Sequence, residues 1–566
     1  MMVKRALLVL TVANAAAGLV PPSAPAAKAS LVLTGGRIWT GDPARPWAAA
    51  IAVAPGSILA VGDNEEIAAL AAPGARRVAL GGRFVMPGIN DAHIHFIRGS
   101  MRLTQLDLNG ARSLEEIQQR LARFAKENPP TPGNPWIQGY GWQYTVMPGG
   151  RLPLRQDLDK VVSDRPIFLA AYDGHTGWAN SAALALAKVD AHTTFAGWGE
   201  IVRDAQGEPT GVLKEQAQAV VSAVVPQLSH EEQRAALRRG IARAASLGIT
   251  SIQNAHGTPE DVDLFREAAA AGELTLRVGV AQTLRPHVPP ERIEAVRALA
   301  DRNASGLVRV KAVKIVVDGV IEAHTAAMLA PYTDEPSTRG LPAWTQEQLD
   351  ETVARADRAG LQIYIHAIGD AGVRMALDAY EKARRANGRP DPRFRIEHLE
   401  TIDMADVPRF PALGVLALMM PIHADPDTIG VWIRAIGPER ASRGFAWRLM
   451  EKAGARLVFG SDWPSTLSLD PWRGLHCAVN RTSSDGQPPG GWLPEHAISV
   501  ESALRAYTSG AAYAEFEEGA KGILAPGRAA DLVVLNADPF RIEPAKLHTL
   551  HPELTVFDGR VVFEAR

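Results

Sequence analysis

The stretches QIYIHAIGD (362–370) and FRIEHLE (394–400) are short apolar, β-branched runs that each carry a histidine near their C-terminal end. Between them AGVRMALDAYEKARRA (371–386) repeats its apolar residues at helical spacing. This is a strand-helix-strand unit, and the same alternation extends in both directions. Upstream lie INDAHIHF (89–96), TSIQNAH (250–256), LTLRVGVAQT (274–283) and VRVKAVKIVVDG (308–319); downstream lie VLALMMPIH (415–423) and RLVFGSDWP (456–464). Helical segments such as 230–247 and 345–359 separate them. Eight strand-helix units in series predict an α/β fold, a (β/α)8 TIM-like barrel whose active site sits at the C-terminal ends of the strands.

The spacing breaks once, between the first strand and the second. The stretch from about 129 to 228 is too long for a plain loop and is expected to be an inserted subdomain. Outside the barrel a different texture marks both chain ends. LVLTGG (31–36), AAIAVAPGSILAVG (49–62) and RRVALGGRFVMPG (76–88) match GILAPGRAADLVVLNADP (522–539) and LTVFDGRVVFEA (554–565) as short β-branched runs between turns. Residues 30–88 and 520–566 are therefore expected to form one split β-sandwich domain around the barrel of 89–519. Residues 1–29 read as a signal peptide: Lys4 and Arg5, an apolar run from Ala6 to Val20, then Ala27-Lys28-Ala29. That run falls short of the roughly 20 residues needed to span a bilayer. Export to the periplasm or medium without a stable membrane anchor is expected, with cleavage near Ala29.

Composition narrows the chemistry. With 60 Lys+Arg against 62 Asp+Glu there is no polybasic footprint for nucleic acid, and a small molecule is the expected partner; homo-oligomerisation stays open. The lone Cys477 excludes an internal disulfide and every multi-cysteine zinc site. Any metal must therefore be held by His, Asp, Glu or Lys. His93 and His95, two apart in a strand, share one face. Such a pair is weak by itself, since a chain of this composition supplies about 0.4 of them by chance. Position strengthens it, because Lys314, His366, His398 and Asp462 end four further strands. Imidazoles and carboxylates suit a borderline divalent ion such as Zn²⁺, one or two of them, in an incomplete shell that leaves room for water. Such an ion generates hydroxide at neutral pH, and Asp462 can take and return the proton. Lys314 becomes a ligand only if carboxylated; as an ordinary ion-paired lysine it leaves a one-metal site.

These residues, in PGINDAHIHF, VKIVVDGVIEAHTAAM (313–328), IHAIGD, RIEHLE and FGSDWP, resemble the amidohydrolase superfamily. Within it the chain is similar to the YtcJ-like branch, amidohydrolase family 3, which includes N-substituted formamide deformylases. YDGHTGWANSAAL (172–184) and GILAPGRAADLVVL (522–535) carry the same resemblance. It implies His93, His95, His366 and His398 as metal ligands, Lys314 as a carboxylated lysine, and Asp462 as the catalytic acid/base that also touches metal. The implied function is hydrolysis of a non-peptide C–N bond, an amide, N-acyl or N-formyl group, by metal-bound hydroxide. The alternatives on the same site are a deaminase, an ester or lactone hydrolase, an isomerase, or a non-catalytic solute-binding protein. The chain departs from the pattern at Val320 and His324 and at Met420-Pro421, which puts substrate specificity outside the resemblance.

Three histidines are candidate substrate contacts: His175 in the insertion, His324 after strand four and His423 after strand seven. Glu215 is an alternative ligand in place of the lysine, although its location outside the eight strands favours a structural or substrate-binding role, and His256 is a weaker contact. Residues 130–200 hold Trp136, Tyr140, Trp142, Tyr144, Tyr172, Trp178 and Trp198. That density predicts an aromatic pocket for an apolar or aryl group, with Trp142 and Trp178 its leading members; the insertion's own core is the competing explanation.

Overall fold

The computed structural model describes residues 28–130, 134–147, 151–172, 174–197, 199–466 and 468–565. The signal-peptide expectation for 1–29 falls almost wholly outside them, as do Asp173 and Trp198. No helix among the described residues is long and apolar enough to cross a membrane.

Eight parallel strands, Ile89–Ile94, Ile249–Gly257, Arg277–Thr283, Val308–Val316, Gln362–Ala367, Arg395–His398, Leu416–Met419 and Leu457–Phe459, pair in sequence order as one sheet. The first and eighth strands meet just beyond the ladder. Asp462 N donates to His93 O at 2.7 Å and His95 N to Trp463 O at 2.8 Å, while Ser461 N donates to Asp91 Oδ1 at 2.9 Å. Gly460 permits this closure, because a Cβ there would lie 2.5 Å from the His93 backbone nitrogen. The meeting point of the two ends thus also brings Asp462 against the His93–His95 pair.

The helices cover the outside by their apolar stripes. In Asp370–Asn387 the buried residues Val373, Ala376, Leu377, Tyr380 and Ala383 recur every three or four positions. Tyr380 Oη donates to Ile363 O and Arg395 O, pinning the helix to strands five and six. Gly388, at φ 65°, stops that helix in the left-handed conformation that glycine adopts most cheaply.

Both chain ends do build the β-sandwich. Phe84–Pro87 pairs antiparallel with Leu532–Leu535, Val85 opposite Val534, inside a six-stranded sheet. A four-stranded sheet from residues 29–79 packs on it, and Leu33, Ile51, Val53, Val85, Leu532 and Val556 fill the space between.

The insertion starts earlier than residue 129. Its six-stranded sheet has Leu106–Asp107 as one edge, and the helix Leu114–Glu127 buries Leu114, Ile117 and Leu121 against that sheet. The barrel's own helix after strand one is the shorter Phe96–Arg102. Helical periodicity alone cannot say which sheet a helix covers, and this one covers the insertion's.

Trp142 and Trp178 are fully buried in the insertion's core. Trp142 Nε1 donates to Leu169 O at 3.1 Å and Trp178 Nε1 to Leu154 O at 2.9 Å. This core accounts for the two tryptophans, so neither is a substrate contact. Trp142→Ala should cost about 3–5 kcal/mol of stability, read from denaturant unfolding, and leave the preference between N-alkyl and N-aryl amides unchanged.

Candidate active site

A cavity of about 590 Å³ opens at the C-terminal ends of the barrel strands, lined among others by His95, Lys314, His366, His398, His423 and Asp462. The insertion roofs one side with Tyr172, His175 and Glu215. Strand alternation turns Asp91, His93 and His95 to one face, and each is put to use. Asp91 Oδ1 accepts from the backbone N–H of His93 and of Ser461, tying strands one and eight together; burial lifts its carboxyl to about 6 in spite of these bonds.

His93 is wholly buried. Its Nδ1 is hydrogen-bonded to Glu397, which is paired in turn with the buried Arg395. Arg395 also donates to Ala92 O at 2.6 Å and lies 3.5 Å over the Tyr364 ring. Burial works against the Glu397 charge, but Arg395 and His93 hold its carboxyl below the usual range. A carboxylate fixed on Nδ1 sets the tautomer and turns the Nε2 lone pair towards the cavity floor, the arrangement found behind metal-ligating histidines.

There Asp462 Oδ1 lies 3.3 Å from His93 Nε2 and 3.0 Å from His95 Nε2. Donor atoms of His93, His398 and Asp462 all fall within 4.8 Å of one another, a spacing that one shared cation satisfies. His93 Nε2, His398 Nδ1 and Lys314 Nζ are buried and make no hydrogen bond among the described residues. Buried polar atoms are ordinarily satisfied, so the unpartnered nitrogens of His93 and His398 beside Asp462 suit a shared cation. Burial pushes His95 and His366 down to about 3 and His398 well below the ordinary value. All three are neutral at pH 7, the form that ligates. His366 Nε2 bonds Gly319 O at 3.2 Å, which leaves the lone pair on Nδ1. His398 and Asp462 sit at φ 78° and 58°, a conformation uncommon for non-glycine residues, though less so for His and Asp.

Lys314 Nζ is buried without a partner, and burial pushes its ammonium down to about 8 despite the pull of Glu397 and Asp462. Lys311, on the other face of that strand, pairs with Glu517. His423 stands between two carboxylates, Nδ1 3.0 Å from Glu400 Oε1 and Nε2 3.4 Å from Asp462 Oδ2. Burial disfavours its charge, but Asp462 and Glu400 raise it to about 10, so it is an imidazolium at neutral pH. Asp462 is correspondingly held well below the usual carboxylate range, against burial, chiefly by the His423 imidazolium.

His175 Nδ1 contacts Glu215 Oε2 at 2.9 Å over the mouth, and His256 also lines it. Glu215 lies in the insertion's strand Pro209–Glu215, facing His175 rather than Lys314's place on the floor. His324 does not join them. Its Nε2 lies 2.8 Å from Asp334 Oδ1 and its ring packs on Tyr332, away from the cavity, which is lined by Glu322 and Val320 of the same loop. His324 is therefore not a substrate contact in this structure. Four residues that the sequence reading passed over complete the site: Arg395 and Glu397 behind His93, and Glu400 and Trp432 behind His423, with Trp432 Nε1 3.0 Å from Glu400 Oε2.

Residues 76–563 match the profile of the amidohydrolase family. The chain belongs to the amidohydrolase family. This amidohydrolase is 32% identical to YtcJ of Bacillus subtilis (strain 168), over 91% of its own length and 96% of that protein's. It is 28% identical to an N-substituted formamide deformylase of Arthrobacter pascens, over 94% and 98%. Its fold matches an uncharacterized metal-dependent hydrolase from Pyrococcus furiosus with TM-score 0.70 and 27% identity, over 90% of this chain and 100% of that one. The amidohydrolase is a hydrolase with a site for a divalent metal.

Proposed function

We propose that this amidohydrolase cleaves a non-peptide C–N bond, an amide, N-acyl or N-formyl group of a small organic molecule. The observation that carries this reading is the placement of Asp462. One of its oxygens faces His93 and His95 and the other faces the His423 imidazolium, at the floor of a cavity sized for a small ligand. Similarity to a deformylase of N-substituted formamides supports the choice of bond.

His93, His95, His366 and His398, with Asp462 and a carboxylated Lys314, would hold one or two ions; a histidine-rich, cysteine-free set suits Zn²⁺. When bound, such an ion lowers the pKa of a water and polarises a carbonyl. Asp462, ionised at neutral pH, takes the proton of the attacking water and gives it to the departing nitrogen. His423 stabilises negative charge developing on the carbonyl oxygen. Its own charge is kept by Glu400, so Asp462 can be protonated without stripping His423 of its partner. His175, oriented by Glu215, closes the cavity from above. We further propose that residues 1–29 direct export and are removed.

Chelation should abolish turnover while far-ultraviolet circular dichroism stays unchanged, and added Zn²⁺ should restore activity at one or two ions per chain. Full activity of a metal-free preparation would overturn the reading. A panel of matched amides, esters, lactones and amino-heterocycles identifies the bond, because release of amine, acid or ammonia distinguishes the reactions.

A further inference from the structure

The walls of the cavity differ in charge balance. On the insertion and strand-six side, Glu215 is bonded to His175, and Glu400 to His423 and the Trp432 indole; Glu322 also lines the cavity. On the side of strands one to three stand two arginines. Arg98 lies on the helix that follows strand one, and Arg285 two residues beyond Thr283, the end of strand three, which is in register with Lys314. Both line the cavity. Among the described residues Arg98 donates only to Ser465 Oγ, and Arg285 makes neither hydrogen bond nor ion pair. Arg393 and Arg409 differ in being held by carboxylates, the first by Asp391 and Glu518, the second by Asp378, Glu381 and Asp406; what sets Arg98 and Arg285 apart is their place in the lining of the cavity.

We infer that Arg98 and Arg285 form a subsite for a carboxylate of the substrate, so that the preferred substrates are amides bearing a negative charge. Two guanidinium groups with no carboxylate in salt-bridge contact, Arg98 feeling only the more distant charge of Asp462, attract an anion at the rim of a concave site, and their planar forks match a carboxylate. The metal site on the floor and the arginines on one wall face the same cavity. A small molecule carrying both a scissile carbonyl and a carboxylate therefore engages both at once. The carboxylate belongs either to the amine half, as in an N-acyl amino acid, or to the acyl half, as in a monoamide of a dicarboxylic acid. The inference uses the C–N reading for the bond and stands on the arginines for the charge.

The test measures kcat and KM for N-acyl amino acids, for dicarboxylic monoamides, and for analogues with methyl in place of the carboxylate. The metal-loaded enzyme, Arg285→Met, Arg98→Met and Arg285→Lys are compared. The carboxylate-bearing member of at least one series should be preferred, and the series identifies the half that carries the charge. In Arg285→Met the ratio of kcat/KM between charged and methyl analogues should fall by roughly ten- to a hundredfold. The fall should lie mainly in KM, be partly reversed in Arg285→Lys, and be mimicked by raising salt. Arg98→Met should lower the same ratio and serves if Arg285→Met fails to fold. Equal kcat/KM for charged and methyl analogues in both series, or an unchanged ratio in folded variants, would overturn the inference. Carboxylate-bearing esters in the panel separate the two readings: if they alone turn over, with a charge preference lost in Arg285→Met, the C–N assignment fails and the subsite holds.

Discussion

Replacing Asp462 with asparagine is expected to lower kcat by roughly 10²–10⁴-fold, the range for removal of a positioned acid/base, while fold and bound metal persist. Asparagine keeps the carbonyl oxygen beside His93 and His95, where Asp462 Oδ1 lies within 3.0–3.3 Å of both Nε2 atoms. It cannot accept the proton, and its amide nitrogen would face the His423 imidazolium where Asp462 Oδ2 now sits at 3.4 Å. Two changes therefore coincide: the proton acceptor is lost, and His423 keeps only Glu400 as a counter-charge. The conformation at φ 58° survives, since asparagine tolerates the left-handed region about as well as aspartate. Steady-state kinetics with metal analysis on the same sample checks this. A kcat within about tenfold of the parent, with metal retained, would show that the proton is handled elsewhere.

The parts of this site that could be read from the sequence are those governed by strand period and strand order. Eight apolar runs gave the barrel, and the residues ending them, His93, His95, Lys314, His366, His398 and Asp462, converge because a barrel brings the C-terminal ends of its strands to one rim. The pair behind His93 was hidden by that same reasoning. Alternation puts neighbours 397 and 398 on opposite faces, yet both contribute here, because φ 78° at His398 turns the chain after Glu397 has pointed inward beside Arg395. His324 was misread for a related reason: φ 58° at that residue and an acid ten residues on carry the ring out to Asp334. Trp142 and Trp178 show the limit of composition, which registers an aromatic cluster without saying whether it faces a ligand or a sheet.

Lys314→Ala is expected to lose metal and activity together, by more than the roughly 10–100-fold in affinity typical of a lost outer-shell partner. A small carboxylate such as acetate or propionate should restore part of both. As an ammonium, Lys314 would be a buried cation with no hydrogen-bond acceptor, a costly state. Burial moves its proton loss down to about 8 from 10.5, so the neutral amine becomes abundant as pH rises through that value. The neutral amine can attack CO₂: an N–C bond forms, a proton leaves, and the product is an anionic carbamate with two oxygen donors. The sign is fixed by that step. Metal loading in bicarbonate should improve on going from pH 7 to pH 9, and loading of the apoprotein in CO₂-free buffer should be poor throughout. In Lys314→Ala the vacated volume admits acetate, whose two oxygens stand where the carbamate's would, and rescue should then be independent of bicarbonate. An ordinary structural lysine behaves differently: its removal would destabilise the fold without any response to acetate, and loading of the parent would ignore CO₂. Metal stoichiometry, mass analysis of the Lys314 peptide under non-acidic conditions and activity across bicarbonate concentrations decide between the two.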